Sequence, residues 1–99
     1  MGISLGEKKS IVRTVRSVPG ARDLAVVIFG SQARGDARFG SDIDIGVEHT
    51  DGQPIAPGIV ADIQEALDES PLKQRAEVVD LSRTSREFRT EALSHTIAL

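Results

Sequence analysis

Leu24-Ala25-Val26-Val27-Ile28-Phe29-Gly30-Ser31 and, a little further on, Gly40-Ser41-Asp42-Ile43-Asp44-Ile45-Gly46-Val47 decide how this chain folds. The first is a continuous apolar run rich in β-branched residues, bounded by Asp23 and Gly30, as expected of a strand covered on both faces. It stops abruptly at Gly30-Ser31. The second alternates polar and apolar residues from Asp42 to Val47, as on a half-buried strand. Between them, Gln32 to Gly40 contains glycine and arginine, has no apolar stripe, and reads as a loop shaped by Asp36 and Phe39.

Outward from this pair the pattern changes period. From Leu5 to Val18 the apolar residues Ile11, Val12, Val15 and Val18 recur at helical spacing among Lys8, Lys9, Arg13 and Arg16, and Pro19-Gly20 closes the segment. Gly52 to Gly58, with Pro54 and Pro57, reads as a turn. Ile59, Val60, Ile63, Ala66 and Leu67 then mark a second amphipathic helix ending before Pro71. Ala76 to Leu81 reads as a third strand. Ser82 or Ser85 caps a last helix in which Phe88, Ala92 and Leu93 share a face, and Thr96 to Leu99 is left as a short apolar tail. Helices alternating with strands around one sheet give an α/β (α+β) layered domain spanning residues 1–99, without internal repeats or a linker.

The bulk composition narrows the functional classes. With 99 residues, 39% hydrophobic and 27% charged, the chain suits one compact domain with a modest core. It has no cysteine, so disulfides cannot hold it, and a reducing, cytoplasmic home is expected. The N-terminus lacks the pattern of a secretory leader, and no apolar stretch approaches a membrane span. A formal net charge of −3 and a pI near 5.3 argue against a surface built broadly for nucleic-acid phosphates. An aromatic content of 3%, without Trp or Tyr, removes the usual stacking platforms of single-strand binders.

The chemistry is concentrated in the same stretch that decides the fold. Side chains alternate across a strand, so Asp42 and Asp44 project from one face while Ile43 and Ile45 point into the core. Two adjacent carboxylates repel each other unless cations fill the space. Oxygen ligands of this kind suit Mg²⁺, which takes one or two protein carboxylates and completes its shell with water and phosphate oxygens. A two-ion arrangement would place the ions roughly 3.5–4 Å apart, gripping both the attacking and leaving oxygens. Taken alone, an Asp-X-Asp is ordinary strand surface and a Gly-Ser an ordinary turn. At Gly30-Ser31, however, the absence of a Cβ lets the backbone approach a ligand, and a hydroxyl with free N–H groups can hold phosphate oxygens. Arg34 and Arg38 can add cationic support, since a guanidinium matches phosphate oxygens. His49 and His95 have no partner at a recognisable metal-ligand spacing. Arg83, Arg86 and Arg89 fall at steps of three, which on one helix makes a basic stripe.

The combination Gly30-Ser31-Gln32-Ala33-Arg34-Gly35 followed by Gly40-Ser41-Asp42-Ile43-Asp44-Ile45 resembles the nucleotidyltransferase superfamily of DNA polymerase β, specifically its minimal nucleotidyltransferases. The resemblance runs from Asp23 to Leu99. It implies the nucleotidyltransferase fold, a small mixed β-sheet flanked by helices. It implies that Gly30, Ser31 and Arg34 contact the triphosphate of ATP, and that Asp42 and Asp44 bind Mg²⁺, with two ions expected. A third acidic residue is expected on another strand. Ala76-Glu77-Val78-Val79-Asp80-Leu81 matches the corresponding family stretch with Glu77 standing where the family has Asp, which makes Glu77 the expected third catalytic and metal ligand. Asp80 is its rival. The two are three apart, so a regular strand points them to opposite faces and only one can join the site.

In the family, larger members attach a helical domain that binds the acceptor, whereas minimal members pair with a small helical HEPN protein, often a toxin. The resemblance therefore implies an adenylyltransferase that moves AMP from ATP to a hydroxyl of a HEPN-type partner and acts as its antitoxin, within a hetero-oligomer. With no Tyr in the sequence, tyrosine self-modification is not available. Two other readings compete: a binding module that masks its helical partner, its metal site relict, and a small-molecule transferase akin to the aminoglycoside nucleotidyltransferases.

Overall fold

The computed structural model describes residues 3–35, 42–72 and 74–99, without the side chains of Ser31 and Gln32. In chain order the elements are α1 (Leu5–Arg16), β1 (Leu24–Phe29), α2 (Ser31–Arg34), β2 (Ile43–His49), α3 (Pro57–Asp68), β3 (Ala76–Asp80), a 3-10 turn (Leu81–Arg83), α4 (Arg86–Ser94) and β4 (Ile97–Ala98). Arg38, expected to support the phosphates, and Asp36 and Phe39, expected to shape the loop, lie outside the described residues, as does Ser41.

Local chemistry sets the helix ends. Ser4 and Glu7 form a reciprocal capping box at the start of α1, each side chain accepting from the other's backbone N–H at 3.1 Å. Glu7 in the first turn and Arg13 and Arg16 in the last complement the helix dipole. Helix α3 begins at Pro57, two residues before its apolar stripe, because a proline in the first turn sacrifices no helical hydrogen bond. Of the two serines considered for α4, Ser85 is the cap, its hydroxyl accepting from Phe88 N–H at 3.1 Å.

The four strands form a mixed sheet in the order β3-β2-β1-β4. β1 pairs antiparallel with β2 and β4, and β2 pairs parallel with β3. Alternation along β2 sorts the sheet into two faces. Ile43, Ile45 and Val47 are fully buried on one, with Val26 and Ile28 of β1 and with Ile11, Val15, Ile63 and Leu67 from α1 and α3. Each such side chain contributes about 1.5–3 kcal/mol of burial, so this cluster is the main source of stability. The other face carries Asp44, Gly46 and Glu48, with a smaller cluster of Phe29, Leu81 and Ala92 under α4. Gly46 makes that second cluster possible. A Cβ there would meet Leu81 Cδ1 at 2.7 Å and Val27 Cγ2 at 3.1 Å, so Leu81 lies flat on the sheet only because residue 46 has no side chain.

Two expectations change. Thr96 to Leu99 is more than a tail: Ile97 and Ala98 pair with Ile28 and Val27 as an edge strand, and two residues are too few for periodicity to reveal. Gln32 to Arg34, expected in a loop, instead join Ser31 in a single helical turn closed by Arg34 N–H donating to Gly30 C=O at 3.0 Å. One turn has no room for an apolar stripe. Phe88 shares the face of Ala92, as expected, its ring edge-on to Phe29, although it stays 44% exposed. Among the described residues no helix is long and apolar enough to cross a membrane.

Candidate active site

One end of the sheet gathers the residues that the sequence singles out. β2 and β3 run parallel and therefore begin at the same end, where Asp44 and Glu77 are direct partners in register. β1 runs the other way, so its last residue, Phe29, is the partner of Asp44 on the other side. Gly30 follows at once. Asp42 precedes Asp44 by two positions, and its charge reaches Asp44 strongly enough to shift its protonation.

Gly30 adopts φ +72°, a left-handed conformation disfavoured for residues with a Cβ. The space a Cβ would need is held by the Asp44 carboxylate. The glycine thus does two things: it lets β1 turn into α2, and it admits Asp44 against the backbone of that turn. Gly35, at φ +80°, ends α2. The exposed Arg34 lies between, close enough to favour the ionised form of Asp44.

Partial burial pushes the Asp44 carboxyl up from its ordinary pKa of 3.8, and the charges of Glu77 and then Asp42 push it further, against Arg34. A site that disfavours the ionised form of Asp44 fits a cation beside it. Among the described residues no three His, Cys, Asp or Glu side chains close on one point as a ready-made cage. The donor set is instead open, all oxygen and all acidic, which fits a Mg²⁺ that keeps water and substrate phosphates in its shell.

Glu77 and Asp80 point to opposite faces of β3, Glu77 towards the side of Asp44 and Asp80 away from it. Asp80 is buried and fully engaged. Its Oδ2 accepts from Ile55 N–H at 3.0 Å, and its Oδ1 from Ser82 N–H at 3.0 Å and Ser82 Oγ at 2.6 Å. Arg83 Nε lies 3.3 Å from Oδ2, and Arg83 Nη2 donates to Ile55 C=O at 3.0 Å. Burial alone would raise the Asp80 pKa, but the Ser82 hydroxyl, the two backbone N–H groups and Arg83 outweigh it and hold the carboxyl below its ordinary range. Asp80 ties the segment before α3 to the end of β3.

One positioning residue escaped the sequence reading. Gln64 of α3 donates from Nε2 to Ala76 C=O at 2.8 Å and accepts at Oε1 from Val78 N–H at 2.9 Å. Its amide thus pairs with the outer edge of β3 on either side of Glu77, as a neighbouring strand would. The only sequence signal was a glutamine beside Ile63, inside the helix's apolar stripe.

The arginine stripe is not formed. Arg83 sits in the 3-10 turn on Asp80, the extended Thr84-Ser85 breaks the helical spacing, and Arg89 pairs with Glu48 at 2.9 Å. His95 lies near Gly30, beside a small cavity, and His49 ends β2.

This arrangement of a mixed sheet, a Gly-Ser turn into a short helix, and acidic residues at the starts of parallel neighbours defines a nucleotidyltransferase fold. The family model described as Polymerase beta, Nucleotidyltransferase matches residues 21–99, and the chain belongs to that family. A solved chain assigned as a minimal nucleotidyltransferase is 30% identical, with a TM-score of 0.69 over 98% of this chain and 97% of its own. A toxin–antitoxin structure with AMP-PNP is similar at a TM-score of 0.74 and 21% identity, covering 92% of this chain and 70% of that one. A tri-AMPylated Shewanella oneidensis HEPN toxin in complex with MNT antitoxin gives 0.67 and 18%, covering 92% and 66%. No curated protein sequence matches the chain.

Proposed function

We propose that this chain is a Mg²⁺-dependent nucleotidyltransferase that moves AMP from ATP to a hydroxyl of a helical, HEPN-type partner protein and thereby acts as its antitoxin. The observation that carries the reading is the register of Asp44 opposite Glu77, with the Asp44 carboxylate seated against Gly30. Similarity to antitoxins solved with HEPN toxins, and to one solved with AMP-PNP, supports the partner and the nucleotide.

Asp42, Asp44 and Glu77 would hold the metal, two ions by the family pattern. The metal, when bound, neutralises phosphate charge and aligns the reacting oxygens. The chain's own groups do the rest. The backbone N–H groups at Gly30-Ser31 and the guanidinium of Arg34 bind and orient the triphosphate. The acceptor oxygen forms a bond to the α-phosphorus, the bond from that phosphorus to the bridging oxygen breaks, pyrophosphate leaves with the electron pair, and the hydroxyl proton passes to solvent. The glutamate at position 77, where the family has Asp, favours one competing reading, a module that silences its partner by masking alone.

The test is to incubate the protein with ATP labelled at the α-phosphate, Mg²⁺ and the helical protein encoded by the neighbouring gene. Label should pass to the partner and vanish with Asp42→Ala/Asp44→Ala. Neutralisation of the partner without label transfer, or transfer that survives the double substitution, would overturn the assignment.

A further inference from the structure

Between α2 and α4, on the sheet face that carries Asp44, lies a cavity of about 120 Å³ lined by Phe29, Gly30, Arg34, Phe88, Ala92 and His95, with Glu91 at its rim. Phe88 is the unusual member. It belongs by sequence to the apolar stripe of α4, yet 44% of it is exposed, and Leu5 is the other large exposed hydrophobic among the described residues. Its ring is held edge-on by Phe29, with centroids 6.0 Å apart and planes at 85°, the stable T-shaped geometry. His95 is oriented by its neighbour, with Nδ1 3.2 Å from Ser94 Oγ.

The volume is well below the roughly 300–1,000 Å³ of pockets that enclose a whole drug-sized ligand. It suits one flat ring system. Gly30 and Arg34 put that ring next to the end where the triphosphate is read to bind. Glu91, a carboxylate, can only accept hydrogen bonds, so it rewards a ring bearing an amine. We propose that the cavity receives the nucleobase of the donor nucleotide, stacked on Phe88 with its exocyclic amine towards Glu91. This rests on the nucleotidyltransferase reading above and adds the base subsite to it.

Calorimetric titration of the full chain with Mg²⁺ and either ATP or inorganic tripolyphosphate tests both. Phe88→Ala should weaken ATP by about tenfold, the scale of one lost stacking face, and leave tripolyphosphate unchanged, while Phe88→Tyr keeps ATP affinity. Glu91→Met should narrow the preference for ATP over inosine triphosphate, which lacks the amine. Phe88→Ala and Glu91→Met binding ATP as the parent does would overturn the proposal, and a raised KM for the acceptor alone would assign the cavity to the acceptor side chain. Equal loss of ATP and tripolyphosphate in Phe88→Ala would also overturn it, as damage to the phosphate site. A parent chain that binds neither ligand would overturn the nucleotidyltransferase reading itself.

Discussion

The carboxylate of Asp44 occupies the place where a side chain on residue 30 would begin, so the turn that ends β1 and the acid at the start of β2 have interlocking shapes. Neither residue can change without consequence for the other.

Gly30→Ala is the direct probe of that fit. The left-handed backbone costs an alanine about 1–2 kcal/mol, and the methyl displaces Asp44. The variant should melt a few degrees lower and lose nucleotidyl transfer far beyond what its unfolded fraction explains. Thermal melting and the label-transfer assay, run on one preparation, separate the two effects.

Asp44→Asn should remove transfer and yet stabilise the protein at neutral pH. The Asp44 pKa is raised on folding, first by burial and then by Glu77 and Asp42. Between the ordinary value of 3.8 and the raised one, the folded state binds more protons than the unfolded, so stability falls as pH rises through that window. The asparagine variant lacks this loss. Its urea midpoint should exceed the parent's above the window and converge with it below. Added Mg²⁺ should raise the parent's midpoint by mass action and leave the variant's nearly unchanged.

Glu77→Gln and Asp80→Asn should give opposite profiles. Glu77 is exposed, so its amide variant should fold like the parent and lose transfer by about a hundredfold or more, as when one partner of transition-state charge is removed. Asp80→Asn should cost about 1–3 kcal/mol through the buried hydrogen bonds it weakens. Because the folded Asp80 pKa is lowered, its contribution is present above the unfolded carboxyl pKa and is lost as pH falls through the folded value. Denaturant midpoints against pH check this. A stable, active Asp80→Asn protein would refute the anchoring role.

Gly46→Ala tests the second cluster. The added methyl meets Leu81 at 2.7 Å, and overpacking of this kind typically costs about 1–3 kcal/mol. Leu81→Ala in the same chain should recover part of the loss, which a double-mutant cycle would measure.

The sequence made the sheet and the direction of its carboxylates legible for a physical reason. Alternation from Asp42 to Val47 and the three-residue separation of Glu77 from Asp80 are period-two signals that survive folding unchanged. What stayed hidden depended on partners distant in sequence. Asp80 reads as a rival to Glu77 until Ile55 and Arg83 are seen to close on it. Phe88 fits its helix stripe, but that its ring meets Phe29 edge-on and stays 44% exposed depends on a strand far away in sequence. Gly46 resembles any strand glycine until Leu81 arrives above it.

Gln64 has one more consequence. A strand at the border of a sheet offers unpaired amides and carbonyls to any extended chain that passes, and such borders recruit other molecules into aggregates. By presenting its own amide to Ala76 and Val78, Gln64 makes a side chain stand in for the missing neighbour, and the segment bearing Glu77 is closed to strand addition there. A residue on a helix thus shields from strand addition the border of the sheet on which Glu77 is displayed.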